Sequence, residues 1–267
     1  MKDILKSFMP PVFLMLMRKF FKKSQSNWYG DYESWGSAVS KSTGYDADLI
    51  LEKVRSSLIK VKSGEAVYER DSVIFDEIQY SWPLLSSLLL AASRNSGDLS
   101  VLDFGGSLGS SYFQNKKILD CIRSVKWGVV EQHHFVRAGK ADFEDESLKF
   151  FESINECVSA IKPRVLLLSS VMQYLESPYK VLGELLENDF DIVIVDRTPF
   201  SFADRDIIKL QVVPPTIYKA SYPCRFFSRS KFNEFFKNAG FMELESFSAL
   251  DGKTDECEFF GMIFKRK

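Results

Sequence analysis

Short apolar runs at residues 100–104, 126–131, 164–169 and 191–195 are continuous rather than alternating, which predicts strands covered on both faces. Between them, Ser110–Ile122, His134–Lys140, Asn155–Ile161 and Pro178–Glu187 carry apolar residues at helical intervals. A shorter strand is expected near Leu148–Phe151. This β-α alternation predicts an α/β domain with a parallel sheet and right-handed crossovers. Further on, Ser230–Asn238 reads as a helix stopped by Ala239-Gly240-Phe241. Strands at 241–249 and 257–265 follow, with Asp251-Gly252 in the connection, so the chain should close on an antiparallel pair.

Upstream of residue 100 the pattern is helical in two places. Leu49, Ile50, Val54, Leu58 and Val61 share one face of a helix over 46–62, and a second helix covers Pro83–Ser93. Residues 24–45 read as an irregular connector. The chain therefore divides into an N-terminal helical and irregular extension, 1–79, and a main domain, 80–267. No internal repeat is present.

Composition narrows the class. With 267 residues, 45% hydrophobic and 24 of them Phe, the chain can bury a large core. Residues 1–23 carry six cations (Lys2, Lys6, Arg18, Lys19, Lys22, Lys23) against Asp3, while the whole chain has a net charge of −1. The rest is therefore net acidic, which argues against nucleic acid as a partner. Cys121, Cys157, Cys224 and Cys257 are far apart, and His133 and His134 are the only histidines. No zinc spacing exists and no metal is expected; four reduced cysteines suit a cytoplasmic protein. The apolar run Val12–Met17 is too short to span a bilayer, and the cations that follow it are in the wrong order for a signal peptide. Residues 8–23 can instead lie on an anionic membrane surface as a short basic amphipathic helix, or pack on the protein's own core.

Chemistry is expected beyond the C-terminal ends of the strands. The most informative of these positions is Val101-Leu-Asp-Phe-Gly-Gly-Ser-Leu-Gly-Ser-Ser-Tyr112, a strand, a glycine turn and a helix start. Glycine lets a backbone approach a ligand closely, and a helix N-terminus offers free N–H groups. Glu131 ends the next strand, 22 residues beyond Gly109, where a carboxylate can accept both hydroxyls of a ribose. Such an acid also occurs in nicotinamide-dinucleotide proteins, so it points to adenosine without naming the cofactor.

Taken together, these segments resemble the class I S-adenosylmethionine-dependent methyltransferases. Asp103-Phe-Gly-Gly-Ser-Leu-Gly109 is similar to their first motif, Asp/Glu-x-Gly-x-Gly-x-Gly, with Ser107 at the middle glycine position and Gly106 at a variable one. Leu168–Pro178 is similar to the segment after their fourth strand, and Ala239-Gly240-Phe241 to the helix end before their sixth. The resemblance implies a Rossmann-like seven-stranded sheet in the order 3-2-1-4-5-7-6 and S-adenosyl-L-methionine as cofactor. Carried onto this chain, Asp103 would lie near the turn and the methionine moiety, with Gly105, Gly106, Ser107 and Gly109 forming the turn. Glu131, with Gln132 beside it, would hold the ribose; Glu152 or Ser153 would face the adenine, and Ser169 and Ser170 the fourth-strand side. A narrower resemblance, through Val129–Val136, Ser169–Leu175, Asp196–Phe200, Ser221–Phe227, Pro10-Pro11 and Gly64–Arg70, is to bacterial methyltransferases of surface-polysaccharide gene clusters. It implies a glycan, sugar-phosphate or related small acceptor.

Asp196 ends the apolar strand 191–195 and is the preferred base or orienting carboxylate for a hydroxyl acceptor; His134 is a second candidate. Arg197 can clamp an anionic sugar or phosphate, or pair with Asp196 to brace the loop. Tyr174, Tyr218 and Tyr222 are candidates to line the acceptor pocket. Trp28, Tyr29, Trp35 and Tyr68–Arg70 can supply a lid. Two other functions fit the same motifs: a nicotinamide-dependent oxidoreductase, and a methyltransferase-like module that binds a partner without turnover.

Overall fold

A computed structural model describes residues 27–44, 47–214 and 220–267. In chain order its elements are β1 (Trp28–Tyr32), α1 (Trp35–Val39), α2 (Ala47–Ser63), β2 (Tyr68–Arg70), β3 (Val73–Phe75) and α3 (Trp82–Arg94). Then come β4 (Asp98–Phe104), α4 (Ser110–Leu119), β5 (Ser124–Val130), α5 (His133–Asp142), β6 (Leu148–Phe151) and α6 (Ile154–Ile161). The chain continues through β7 (Val165–Ser169), a 3-10 turn (Met172–Tyr174), α7 (Pro178–Leu186), β8 (Ile192–Ser201) and β9 (Ile207–Val212). It closes with β10 (Ser221–Phe226), α8 (Arg229–Asn238), β11 (Phe241–Lys253) and β12 (Cys257–Arg266).

The central strands are apolar on both faces because two helical layers cover them. Val165, Leu167, Ile192 and Ile194 face one layer, packed with residues of α2, α3, α4 and α5. Their neighbours Leu166, Leu168, Val193 and Val195 face the other, built from α6, α7 and α8. Side chains alternate across a strand, so a run buried on both sides must be apolar at every position. Burying each such side chain contributes about 1.5–3 kcal/mol.

Seven strands form the main sheet, in the order β11-β12-β8-β7-β4-β5-β6. The five strands from β8 to β6 are parallel, and β12 runs antiparallel to both β8 and β11. Counted from β4 as the first, this is the expected order 3-2-1-4-5-7-6.

Three features differ from the sequence reading. Residues 24–45 are not wholly irregular, since β1 and α1 lie within them, and β1 pairs with β9 about 180 residues further along the chain. β1, β9 and β10 make a separate antiparallel sheet. β8 does not stop at 195 but runs on through Pro199 to Ser201. Its parallel neighbour β7 ends opposite Asp196, so on that side Pro199 interrupts no ladder. Likewise β11 extends over Asp251-Gly252, with an irregular register between Ser248 and Lys253. No helix among the described residues is long and apolar enough to cross a membrane; residues 8–23 lie outside them.

Candidate active site

The order reverses at β4, whose neighbours are β5 on one side and β7 on the other. Crevices form at such switch points, beyond the C-terminal ends of the strands. The loop that leaves β4 there alternates in handedness: Gly105, Ser107 and Gly109 have φ of +69°, +56° and +90°. Gly105 is obligatory for packing as well, because a Cβ would lie 2.3 Å from Val171 Cγ2. At Gly106 a Cβ would meet the Asp103 carboxylate at 2.4–2.8 Å. Ser107 thus adopts the left-handed conformation that the motif's middle glycine would favour. Gly109 caps α4 with no side chain, so no side-chain oxygen takes the first N–H groups of that helix.

Two carboxylates sit under and beside this loop. Asp103 is 1% exposed and its Oδ2 accepts from Trp127 Nε1 at 3.1 Å; its Oδ1 is buried with no partner. Burial pushes its pKa up to about 7, and the Glu131 charge adds to the rise. Glu131 accepts from the Ser107 N–H at 3.3 Å and the Gln132 N–H at 2.7 Å. Burial raises its pKa too, and those two N–H groups restrain the rise. At the outer rim His133 Nδ1 lies 2.8 Å from Glu152 Oε1, and Ser153 caps α6 by accepting from Glu156 N–H.

On the other side of β4 the ends of β7 and β8 are tied together. Ser170, at φ +55°, donates its N–H to the Asp196 carbonyl at 3.0 Å. Buried Gln173 donates to Ser170 Oγ at 3.1 Å and to the Arg197 carbonyl at 3.3 Å. Asp196 is 3% exposed and accepts the Arg197 N–H at 3.0 Å. Burial pushes its pKa up to about 6 while Arg197 and the Ser81 hydroxyl pull it down. The Arg197 guanidinium lies between Asp71 and Asp251, the latter at 2.9 and 3.1 Å. Burial opposes its charge, but the two carboxylates prevail and hold it firmly cationic.

The β2–β3 hairpin reaches across these ends. Glu69 Oε2 accepts from Ser110 Oγ at 2.8 Å at the start of α4, while Asp71 reaches Arg197 on β8. The crossing spans two strand spacings, about 10 Å. Asp71 and Ser72, with φ of +52° and +69°, make the two-residue turn that such a hairpin favours.

The strand order, with β12 inserted antiparallel between β8 and β11, departs from the dinucleotide-binding order 3-2-1-4-5-6. It is that of the class I methyltransferase fold.

The chain is similar to several solved structures. The N-terminal domain of EvdMO1, crystallised in the presence of SAH and D-fucose, is 11% identical and has a TM-score of 0.50 over 81% of this chain and 97% of that one. The 1,6-didemethyltoxoflavin-N1-methyltransferase of Burkholderia thailandensis is 12% identical, with a TM-score of 0.47 over 92% and 98%. The magnesium protoporphyrin IX methyltransferase of Synechocystis PCC 6803 is 11% identical, with a TM-score of 0.45 over 95% and 96%. No family model matches the chain, and no curated protein matches it.

Within this methyltransferase fold, the expected cofactor residues Asp103, Gly105, Gly106, Ser107, Gly109, Glu131, Gln132, Ser169 and Ser170 converge on the switch point. Glu152 and Ser153 stand at the rim, beyond β6. Asp103 is shielded beneath the loop, 1% exposed and packed against Gly106. The two candidate bases separate: β8 and β5 are three strand spacings apart, about 14 Å. His134 is on the Glu131 side, against Phe135, with its Nε2 buried and unpartnered. Arg197 is engaged within the protein. Its fork is filled by Asp71 and Asp251, and its pairing with Asp196 is through the backbone N–H only. Tyr174 and Tyr222 do meet, edge to face with centroids 5.4 Å apart, and the Tyr174 hydroxyl donates to Gln211 at 3.0 Å. Tyr218 lies outside the described residues. Sequence reasoning did not single out Ser81 or Asp251 as site residues, nor Gln173 within the segment 168–178. It also missed Trp82, 63% exposed beside Tyr80 with centroids 4.9 Å apart.

The residues present fit an adenosylated amino acid. The helix start without a side-chain cap suits its carboxylate, and the Glu131 carboxylate, steadied by two N–H groups, keeps lone pairs for ribose hydroxyls.

Proposed function

We propose that this chain is an S-adenosylmethionine-dependent methyltransferase that O-methylates a glycan, sugar-phosphate or related small acceptor in surface-polysaccharide biosynthesis. The observation that carries the reading is the contact of Glu131 with the Ser107 N–H at 3.3 Å, which joins the first motif to the second strand end at the switch point. In this reading Glu131 and Gln132 hold the ribose, and the loop 105–109 with the start of α4 holds the amino-acid end. Bound there, S-adenosylmethionine supplies an electrophilic methyl group on a sulfonium.

The protein's own residues do the rest by positioning and proton handling. Asp196, poised by burial at a pKa of about 6, is ionised near neutral pH and takes the proton of the acceptor hydroxyl. Tyr174 and Tyr222, with Tyr80 and Trp82 next to Ser81, offer ring faces of the kind that pack on sugars. The presence of D-fucose in the EvdMO1 crystal agrees with a sugar acceptor on this fold. A cytoplasmic site of action in a bacterium, with residues 8–23 resting on the inner membrane face, belongs to the same reading.

The test is transfer of a labelled methyl group to a panel of free sugars, sugar phosphates and nucleotide sugars. Wild type should label at least one, and Asp196→Asn should bind S-adenosylhomocysteine normally yet turn over at least about 100-fold more slowly. Full turnover by Asp196→Asn would remove Asp196 from the base role. S-adenosylhomocysteine binding without transfer to any of these acceptors would count against a sugar acceptor.

A further inference from the structure

The β2–β3 hairpin is attached in two chemically different ways. Its stem is buried: Tyr68 is 4% exposed, its hydroxyl accepts from Gln114 Nε2 at 3.0 Å, and Glu69 is 2% exposed against Ser110. Gln114 also donates to the Gln79 carbonyl at 2.5 Å, so α4 grips both ends of the segment. The tip has no comparable apolar seat, for Val73 and Ile74 are exposed. It is joined to β8 through the charge pair of Asp71 with Arg197, and to α2 by Ser57 Oγ, which donates to the Ser72 carbonyl at 3.1 Å. The Asp71 side chain is 61% exposed and that of Arg197 14%. Water reaches the Asp71 end of the pair while Arg197 is largely buried, so polar contacts rather than apolar packing hold the tip.

Arg197 links this tip to the chemistry. Its φ of +53° is costly for a residue with a Cβ, and it is this backbone turn that aims the Arg197 N–H at Asp196 Oδ1. The guanidinium, held from above by Asp71 and from β11 by Asp251, fixes the side chain of that strained residue. The groups facing Asp196 are thus Arg197 on its own strand, Asp251 from β11 and Ser81 at the start of α3.

We propose that the hairpin is a clasp that closes over the crevice when Asp71 engages Arg197, and that Arg197 is the positioning residue that passes this closure to the Asp196 carboxylate. The contact between Asp71 and Arg197 is seen directly; the importance of its effect on Asp196 rests on the methyltransferase reading.

The test uses the full chain and needs no substrate. Asp71→Asn keeps a residue at ease in the left-handed turn and removes only the charge. Hydrogen exchange of amides 68–75 should then rise at least about fivefold, the equivalent of ~1 kcal/mol, with β4 and β7 unchanged. Unchanged exchange at 68–75 would overturn the clasp. The coupling is read by carbon NMR titration of Asp196. Arg197→Gln should move its midpoint to higher pH, because the cation is lost and the backbone N–H is no longer anchored on Asp196, and Arg197→Lys should restore part of the shift. A midpoint unmoved in Arg197→Gln would overturn the coupling. Failure of the protein to bind S-adenosylhomocysteine would speak against the cofactor reading, and both measurements would still decide the clasp.

Discussion

Gly105 shows how much of the site rests on a single absent methyl group. A Cβ there would meet Val171 at 2.3 Å on a backbone with φ +69°, whereas Gly64, at φ +81°, faces open space. Gly105→Ala should therefore cost about 2–4 kcal/mol by urea unfolding and Gly64→Ala about 1; equal losses would contradict the packing account. At Glu131, loss of the carboxylate should weaken S-adenosylhomocysteine binding about 10- to 100-fold, since hydrogen bonds to a charged group contribute ~1.5–3 kcal/mol. Titration calorimetry on Glu131→Ala reads this directly, and unchanged affinity would place the ribose elsewhere. Asp103 carries a pH signature. Its pKa is about 7 in the fold and about 3.9 in an unfolded chain, so the folded state binds the extra proton between those values. Its contribution to stability therefore falls as pH rises from about 4 to 7, and Glu69, also pushed up to about 7 by burial, has the same sign. Asp103→Asn should compare better with wild type at pH 8 than at pH 5 in urea unfolding. A difference independent of pH would contradict this. Asp103 and Glu131 were legible in the sequence because each ends an apolar run. Asp71 and Asp251 were not, because the Arg197 they share lies 126 and 54 residues away.

At the scale of elements, legibility followed burial. β4, β5, β7 and the first half of β8 are covered on both faces and read as apolar runs. β9 and β10 escaped notice because Lys209, Gln211, Tyr222, Pro223 and Arg225 interrupt them, and their partner β1 begins near residue 28. The hairpin strands, three residues each, are too short to show a period. The antiparallel pair of β11 and β12 was predicted, but its internal fit was not. Gly261 sits opposite Phe247, and a Cβ there would lie 2.0 Å from the ring. An aromatic folded over a cross-strand glycine supplies contact that the glycine lacks. Gly261→Ala should thus destabilise the protein by about 2–4 kcal/mol, and adding Phe247→Ala should recover part of that loss. Strict additivity of the two would show that the ring does not occupy that space.

For the whole molecule, the decisive fact is that one edge of one sheet gathers residues from nearly every part of the described chain. The first motif, the second strand end, the β7 turn, the end of β8, the hairpin and β11 all contribute there. Parallel strands make this possible, since their C-terminal ends share one side. The antiparallel β12 then lies between β8 and the edge strand β11, which brings Asp251 to Arg197. The account stands on the claim that this edge is a site for S-adenosylmethionine. Calorimetric titration of the full chain with S-adenosylhomocysteine, with NAD as the control ligand, tests it most directly. The account predicts saturable binding of one S-adenosylhomocysteine per chain and none of NAD. Binding of NAD alone, or of neither ligand, would contradict it.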